Sequence, residues 1–174
     1  MRIADLLLPE FDMEMATTRK IIERVPDGPG KGEWKPHEKS FPLAHLAQLC
    51  ARLPGWTNMV MDATEFDIAP PGGSKYPGYS VEKTAALLEE FDRGVRNGRD
   101  AIARATNEDF QVPWHFKARG QTMITMPRYM MLRTMTLNHI VHHRPQLAFY
   151  LRLLGEKVPA MYGPTADETP FSQR

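Results

Sequence analysis

Stretches dense in glycine and proline confine regular structure in this chain to long segments between them. They are Pro26-Asp27-Gly28-Pro29-Gly30-Lys31-Gly32, Ala69-Pro70-Pro71-Gly72-Gly73-Ser74-Lys75-Tyr76-Pro77-Gly78, and the tail from Gly155 onward with Pro159, Gly163, Pro164 and Pro170. Neither a helix nor a central strand continues through such sequence. What lies between carries apolar stripes at helical spacing.

The first segment, about Arg2 to Val25, places Ile3, Leu7, Phe11, Met15, Ile22 and Val25 on one stripe. Asp5 and Glu10 lie towards its start and Arg19, Lys20 and Arg24 at its end, which complements the helix dipole. The second is expected to start at Ser40 as N-cap, with Pro42 in its first turn and Leu43, Leu46, Cys50 and Leu53 as its stripe. Pro54-Gly55 should break or kink it before Trp56 to Met61 resumes. Ser80 is the expected cap of the third, whose stripe is Val81, Ala85, Leu88, Phe91, Val95 and Ile102. Gly94 and Gly98 each weaken that helix by about 1 kcal/mol relative to Ala, so packing must compensate.

The fourth segment follows Pro127 and ends near Leu154-Gly155. Leu137, Val141, Ala148 and Leu151 form one stripe on it and Leu132, Met135 and Tyr150 another. A helix apolar on two sides is central, or meets a partner subunit as well as its own core. Before it, Phe110, Val112 and Trp114 alternate with polar residues, Lys117-Ala118-Arg119-Gly120 turns, and Thr122 to Thr125 is rich in strand formers. The fold class expected is therefore all-α: a four-helix bundle with a short β-hairpin or irregular insertion between helices 3 and 4.

A chain of 174 residues fits one domain, here 1–174, with 155–174 as a tail that packs on the bundle or stays partly flexible. No apolar run approaches the roughly 18 residues of a membrane span. Asp5 stands where a signal peptide would be apolar, and Cys50 is the single cysteine, so a reducing cytoplasm is the simpler expectation. The net charge of +1 gives nucleic-acid binding little support.

Chemistry concentrates in Asn138-His139-Ile140-Val141-His142-His143-Arg144-Pro145-Gln146. His139 and His143 lie about 40° apart and one turn up a helix, so both imidazoles can reach one point. Two such histidines are a half-site for a divalent ion, because neutral imidazole binds zinc, nickel or iron well. The same pair also suits a polar seam in the core or at an interface. His142 points about 100° away from His143, and Pro145 removes the amide bond to Val141. His45 is the best third ligand. His37 and His115 read as surface residues, and Asp62, Glu65 and Asp67 as solvated. Trp34, Trp56, Trp114 and Tyr162 suit either a pocket wall or packing. The hydrolase elbow G-x-S-x-G, the P-loop and the zincin H-E-x-x-H are all missing. Cys50 lies on an apolar stripe, as a structural thiol does.

Several blocks, in this order, resemble the DinB-like superfamily over nearly the whole chain. They are Trp34-Lys35-Pro36-His37-Glu38-Lys39-Ser40, Leu53-Pro54-Gly55-Trp56, Leu137 to Arg144, Tyr150 to Gly155, and Val158-Pro159-Ala160-Met161-Tyr162-Gly163-Pro164. The resemblance implies a four-helix bundle, often a homodimer. It also implies a divalent metal, Zn or Ni, held by one histidine of the second helix and two at a four-residue step on the last. Relatives of known activity are metal-dependent transferases and isomerases that use thiols such as bacillithiol or mycothiol. On this reading His139, His143 and His45 hold a metal, and the partner is a small-molecule substrate or low-molecular-weight thiol, for S-transfer or hydrolysis. The alternative is a dimeric binding or structural bundle without metal. The family's second-helix histidine falls at Leu49, and this chain carries His45 one turn earlier, about 6 Å along the axis. Pro145 replaces the small residue expected after the His-His-Arg run.

Overall fold

A computed structural model describes residues 1–73, 78–80 and 83–169. The fold is mostly helical with a small three-stranded sheet. Val81 and Pro170, each named above, lie outside the described residues.

Helix α1 spans Ile3–Ile22 and buries Leu7, Phe11, Met15, Ile21 and Ile22, close to the stripe its sequence carries. Helix α2 spans Leu43–Asp62. It starts after Pro42 rather than at Ser40, and it runs unbroken through Pro54 and Gly55. The reason lies in its neighbour α3, Thr84–Arg104. A Cβ placed on Gly94 would stand 2.9 Å from the Gly55 nitrogen, and one on Gly98 would stand 2.8 Å from the Pro54 carbonyl oxygen. The two helices thus meet backbone to backbone. That contact and the burial of Leu53, Thr57, Val60 and Met61 hold α2 helical across its proline, where local preference alone would end it. The two glycines of α3 cost local stability and return it as close approach.

Helix α3 begins at Thr84 and not at Ser80. Its cap comes from the first glycine-proline loop: the Asp27 carboxylate accepts from the amide and hydroxyl of Thr84. Ser80 instead donates its amide to Gln48 Oε1 at 3.0 Å.

The alternation read as the start of a hairpin is first a short helix, α4 (Asn107–Gln111), closed by a reciprocal cap between Thr106 and Asp109. The hairpin follows as β2 (Pro113–Ala118) and β3 (Gln121–Pro127), antiparallel, with Arg119 and Gly120 both at positive φ in the turn. A third strand, β1 (Glu65–Asp67), pairs parallel with β2. The Asp67 carboxylate fastens that edge by accepting the amides of Ala69, Arg119 and Gly120. Trp114 of β2 is fully buried against the helices.

The fourth long segment is not one uniform helix. It runs as α5 (Arg128–Leu132), a π-helical turn over Arg133–Leu137, then α6 (Asn138–Leu153), which continues through Pro145 and ends with Gly155 at φ +78°. Val141, expected on a buried stripe, is on the exposed side. The inward face of α6 is Ile140, Arg144, Leu147 and Leu151, flanked by His143 and Tyr150. Helix α6 packs on α2 and α1, and α3 on α2 and α1. Beyond it Val158 and Ala160 are buried, and Asp167 accepts from Arg152 and the Val158 amide. Among the described residues no helix is long and apolar enough to cross a membrane.

Candidate functional site at the histidine pair

Helix α2 carries His45, Leu49, Arg52 and Trp56 at steps of four, three and four, so all four share one face. His139 and His143 of α6 share another. Their ring centroids stand 4.7 Å apart, and Trp56 meets His139 edge-on at 5.5 Å. His143 is 7% exposed.

His143 has one ring nitrogen engaged on its outer side. His143 Nδ1 lies 2.8 Å from Gln146 Oε1, and the Gln146 amide nitrogen lies 3.2 Å from His142 Nε2. The His139 ring lies near the carbonyl of Met135, inside the π-helical turn. Burial pushes both imidazoles below their ordinary pKa, and mutual repulsion pushes His139 further; the Met135 and Gln146 contacts oppose this in part. Both are therefore neutral at neutral pH.

His45 sits elsewhere. Its ring is sandwiched between Phe41 at 4.1 Å and Tyr79 at 3.8 Å, each at an interplanar angle of 13°. Arg52 lies over the same Tyr79 ring at 4.9 Å and binds Glu90 through Nε at 2.9 Å. Gln48 holds both Glu90 and the Ser80 amide. Segment 78–80 is thus strapped across α2 by its ring and its backbone. Burial, then the charges of His143 and Arg52, lowers the His45 pKa. Beside this stack opens a cleft of about 1100 Å³ whose walls include Asp27, Glu33, Lys35, His45, Tyr79 and Lys83. Leu49, one turn beyond His45, is buried. Among the described residues no three His, Cys, Asp or Glu side chains gather as a group able to hold a metal ion.

The opposite flank of α6 is built differently. Arg144 is 1% exposed and donates to Glu14 Oε2 at 2.7 Å, the Glu14 carbonyl at 3.2 Å, Thr18 Oγ1 at 3.2 Å and the Tyr162 hydroxyl at 2.7 Å. The Tyr162 hydroxyl donates in turn to the Glu14 carboxylate.

The remaining residues singled out in the sequence lie apart from the pair. His37 Nδ1 accepts from the Lys39 amide, and His115 meets Thr125 across the hairpin. Asp62 binds Arg104 and Glu65 binds Lys117. Trp34 packs edge-on against Tyr150, Trp114 is core, and Tyr162 belongs to the Arg144 cluster. Cys50 is fully buried, and burial pushes its thiol up to about 12, so it is no nucleophile at neutral pH. Sequence reasoning missed Phe41, Tyr79, Arg52 and Gln146. Gln146 alone was signalled, three residues after His143 and so on its side of the helix.

Comparison with known proteins agrees with this architecture. No curated protein sequence matches the chain. A crystal structure of a DinB-like protein from Bacillus cereus ATCC 10987 superposes with a TM-score of 0.64 at 18% identity, over 92% of this chain and 98% of that one. The model of the DinB family matches residues 76–172, which take in α3, the hairpin, the π-helical turn and both histidines of the pair. A chain with that match over more than half its length, and with that fold, belongs to the DinB family.

Proposed function

We propose that this chain binds a small molecule at His139 and His143, and that the three-histidine metal centre implied by its family is reduced here to a two-donor half-site. The observation that carries this reading is the His45 ring, held flat between Phe41 and Tyr79 with Leu49 one turn beyond it. Two histidines fit a divalent ion; the third position does not. The residues present bind and orient: two neutral imidazoles offer lone pairs to an O–H, S–H or N–H group, with Trp56 beside one ring and Phe41 beside the other. A low-molecular-weight thiol or another small polar molecule is the ligand class. We also infer that α1, α2, α3 and α5–α6 act as one four-helix bundle and that it pairs as a homodimer. Phe149 and Leu153, exposed on the outer stripe of α6, support that pairing.

A second reading, a metal-dependent S-transferase or hydrolase, draws support from the outer contact of His143 with Gln146. Metal-ligating imidazoles are oriented by such contacts through their other nitrogen. A bound Zn²⁺ or Ni²⁺ would supply an acidified thiol or water.

Elemental analysis of untagged protein after exposure to Zn²⁺ or Ni²⁺ separates the two. The expected result is well under one ion per chain in the native protein and close to one in Leu49→His. That gain should be lost again when His143→Ala is added. A stoichiometric ion in the native protein, absent from His143→Ala, overturns the first reading and establishes a metal centre.

A further inference from the structure

The cleft of about 1100 Å³ beside His45 is walled by neither His139 nor His143. We propose that it is a separate binding site for a small molecule that carries an oxyanion, a carboxylate or a phosphate, with the edge of the His45 ring as one of its donors. This cleft goes beyond the function read at the histidine pair and stands or falls without it.

A ring stacked on both faces can meet a ligand only through its edge, and the edge of an imidazole carries both nitrogens. His45 is such a ring, with Phe41 on one face at 4.1 Å and Tyr79 on the other at 3.8 Å. It is half-buried and lines the cleft, and among the described residues neither of its nitrogens has a hydrogen-bond partner. A polar edge in that setting is short of a bond that a ligand in the cleft can supply. The walls around it are fixed. The Leu43 and Ala44 amides donate to the Trp34 and Gly32 carbonyls at 2.8 and 2.9 Å, and the Thr84 hydroxyl donates to the Val25 carbonyl at 2.6 Å. The first glycine-proline loop is thereby tied to both α2 and α3. Gly28 and Gly30, at φ +123° and +76°, line the cleft with backbone alone.

The open hydrogen-bonding capacity of these walls is rich in donors. Lys83 stands within electrostatic reach of Asp27 but makes no hydrogen bond or ion pair among the described residues. Lys35 spends one ammonium hydrogen on the Glu38 carbonyl at 2.7 Å. Of the two wall carboxylates, Asp27 already accepts from the Thr84 amide and hydroxyl, which leaves Glu33. Two ammonium groups and an imidazole N–H against one open carboxylate call for a ligand that brings acceptors and negative charge.

The test is titration of the full chain, at neutral pH and fixed ionic strength, with succinate, inorganic phosphate and the neutral diol butanediol, read by calorimetry and by histidine side-chain NMR. Saturable binding of an anion that moves the His45 ring signals and leaves those of His139 in place is expected. Succinate alone assigns a carboxylate ligand, and phosphate alone a phosphate. His45→Phe keeps a ring in the stack but removes its nitrogens, and should weaken binding about tenfold. Lys83→Met, at an exposed side chain, should weaken it by up to about fivefold. Glu33→Gln removes the open carboxylate and should tighten it. The proposal is overturned if neither anion binds saturably, if the diol binds as tightly as the anions, or if the His139 signals move instead. Native affinity in both His45→Phe and Lys83→Met, or weaker binding in Glu33→Gln, overturns it equally.

Discussion

His143 and Arg144 are neighbours in sequence, yet they face two differently built flanks of α6. Arg144 turns to α1, where Glu14, Thr18 and Tyr162 surround its guanidinium with acceptors. His143 turns instead to Phe41, just before α2, and to the second imidazole of its own helix. The first flank spends its polar groups on one another. The second sets partly buried neutral imidazoles against aromatic rings. A buried charge paired with a carboxylate holds parts together, even with its own Nε left without a partner.

The largest expected effect breaks the first flank. Arg144→Met leaves the Glu14 carboxylate buried without its cation and should cost about 3–5 kcal/mol. Equilibrium urea unfolding measures it, and adding Glu14→Gln should recover most of the loss. A cost below about 1 kcal/mol would mean that the cluster contributes little to stability. A smaller effect tests the wall that carries Trp56. Gly98→Ala forces a methyl to within 2.8 Å of the Pro54 carbonyl and 3.0 Å of Thr57, and should destabilise by about 1–3 kcal/mol. Because the displaced element is α2, the same variant should also move the Trp56 and His139 ring signals. A loss of stability without that shift would separate the helix contact from the site.

The smallest effect sharpens the second flank. Burial holds His139 and His143 below the ordinary imidazole value of 6.5. As pH falls through 6.5 the unfolded chain takes up protons before the folded one, so stability is full above that value and declines below it. Unfolding free energy measured between about pH 7 and pH 5 should fall less steeply in the His139→Gln/His143→Gln variant than in the native protein. Equal slopes would show that these imidazoles are not held neutral by the fold.

The helical stripes were legible because burial on one face repeats every three or four residues, and the histidine pair was legible for the same reason. Three features were not. The continuity of α2 through Pro54 depends on Gly94 and Gly98, forty residues on, and no local rule carries that information. Helix α4 is only five residues long, and the alternation of Phe110, Val112 and Trp114 masks the cap between Thr106 and Asp109 that announces it. Strand β1 is three residues long and exists because β2 lies beside it. The fate of His45 was hidden for a related reason. Its spacing from the pair suits a ligand, but Tyr79 reaches it from a glycine- and proline-rich stretch that carries no periodic signal.

The turn over Arg133–Leu137 holds its chain through bonds one residue longer than those of an α-helix, as between the Asn138 amide and the Arg133 carbonyl. Everything downstream inherits that offset as a phase angle. Were the same residues wound regularly, the outgoing rod would turn by about 100° about its own axis. The imidazoles would then exchange places with their polar neighbour, and the guanidinium would lose its carboxylate in the same stroke. In this protein the one residue absorbed by that turn sets the phase of both flanks at once, and deleting it should straighten the winding while leaving both flanks in place.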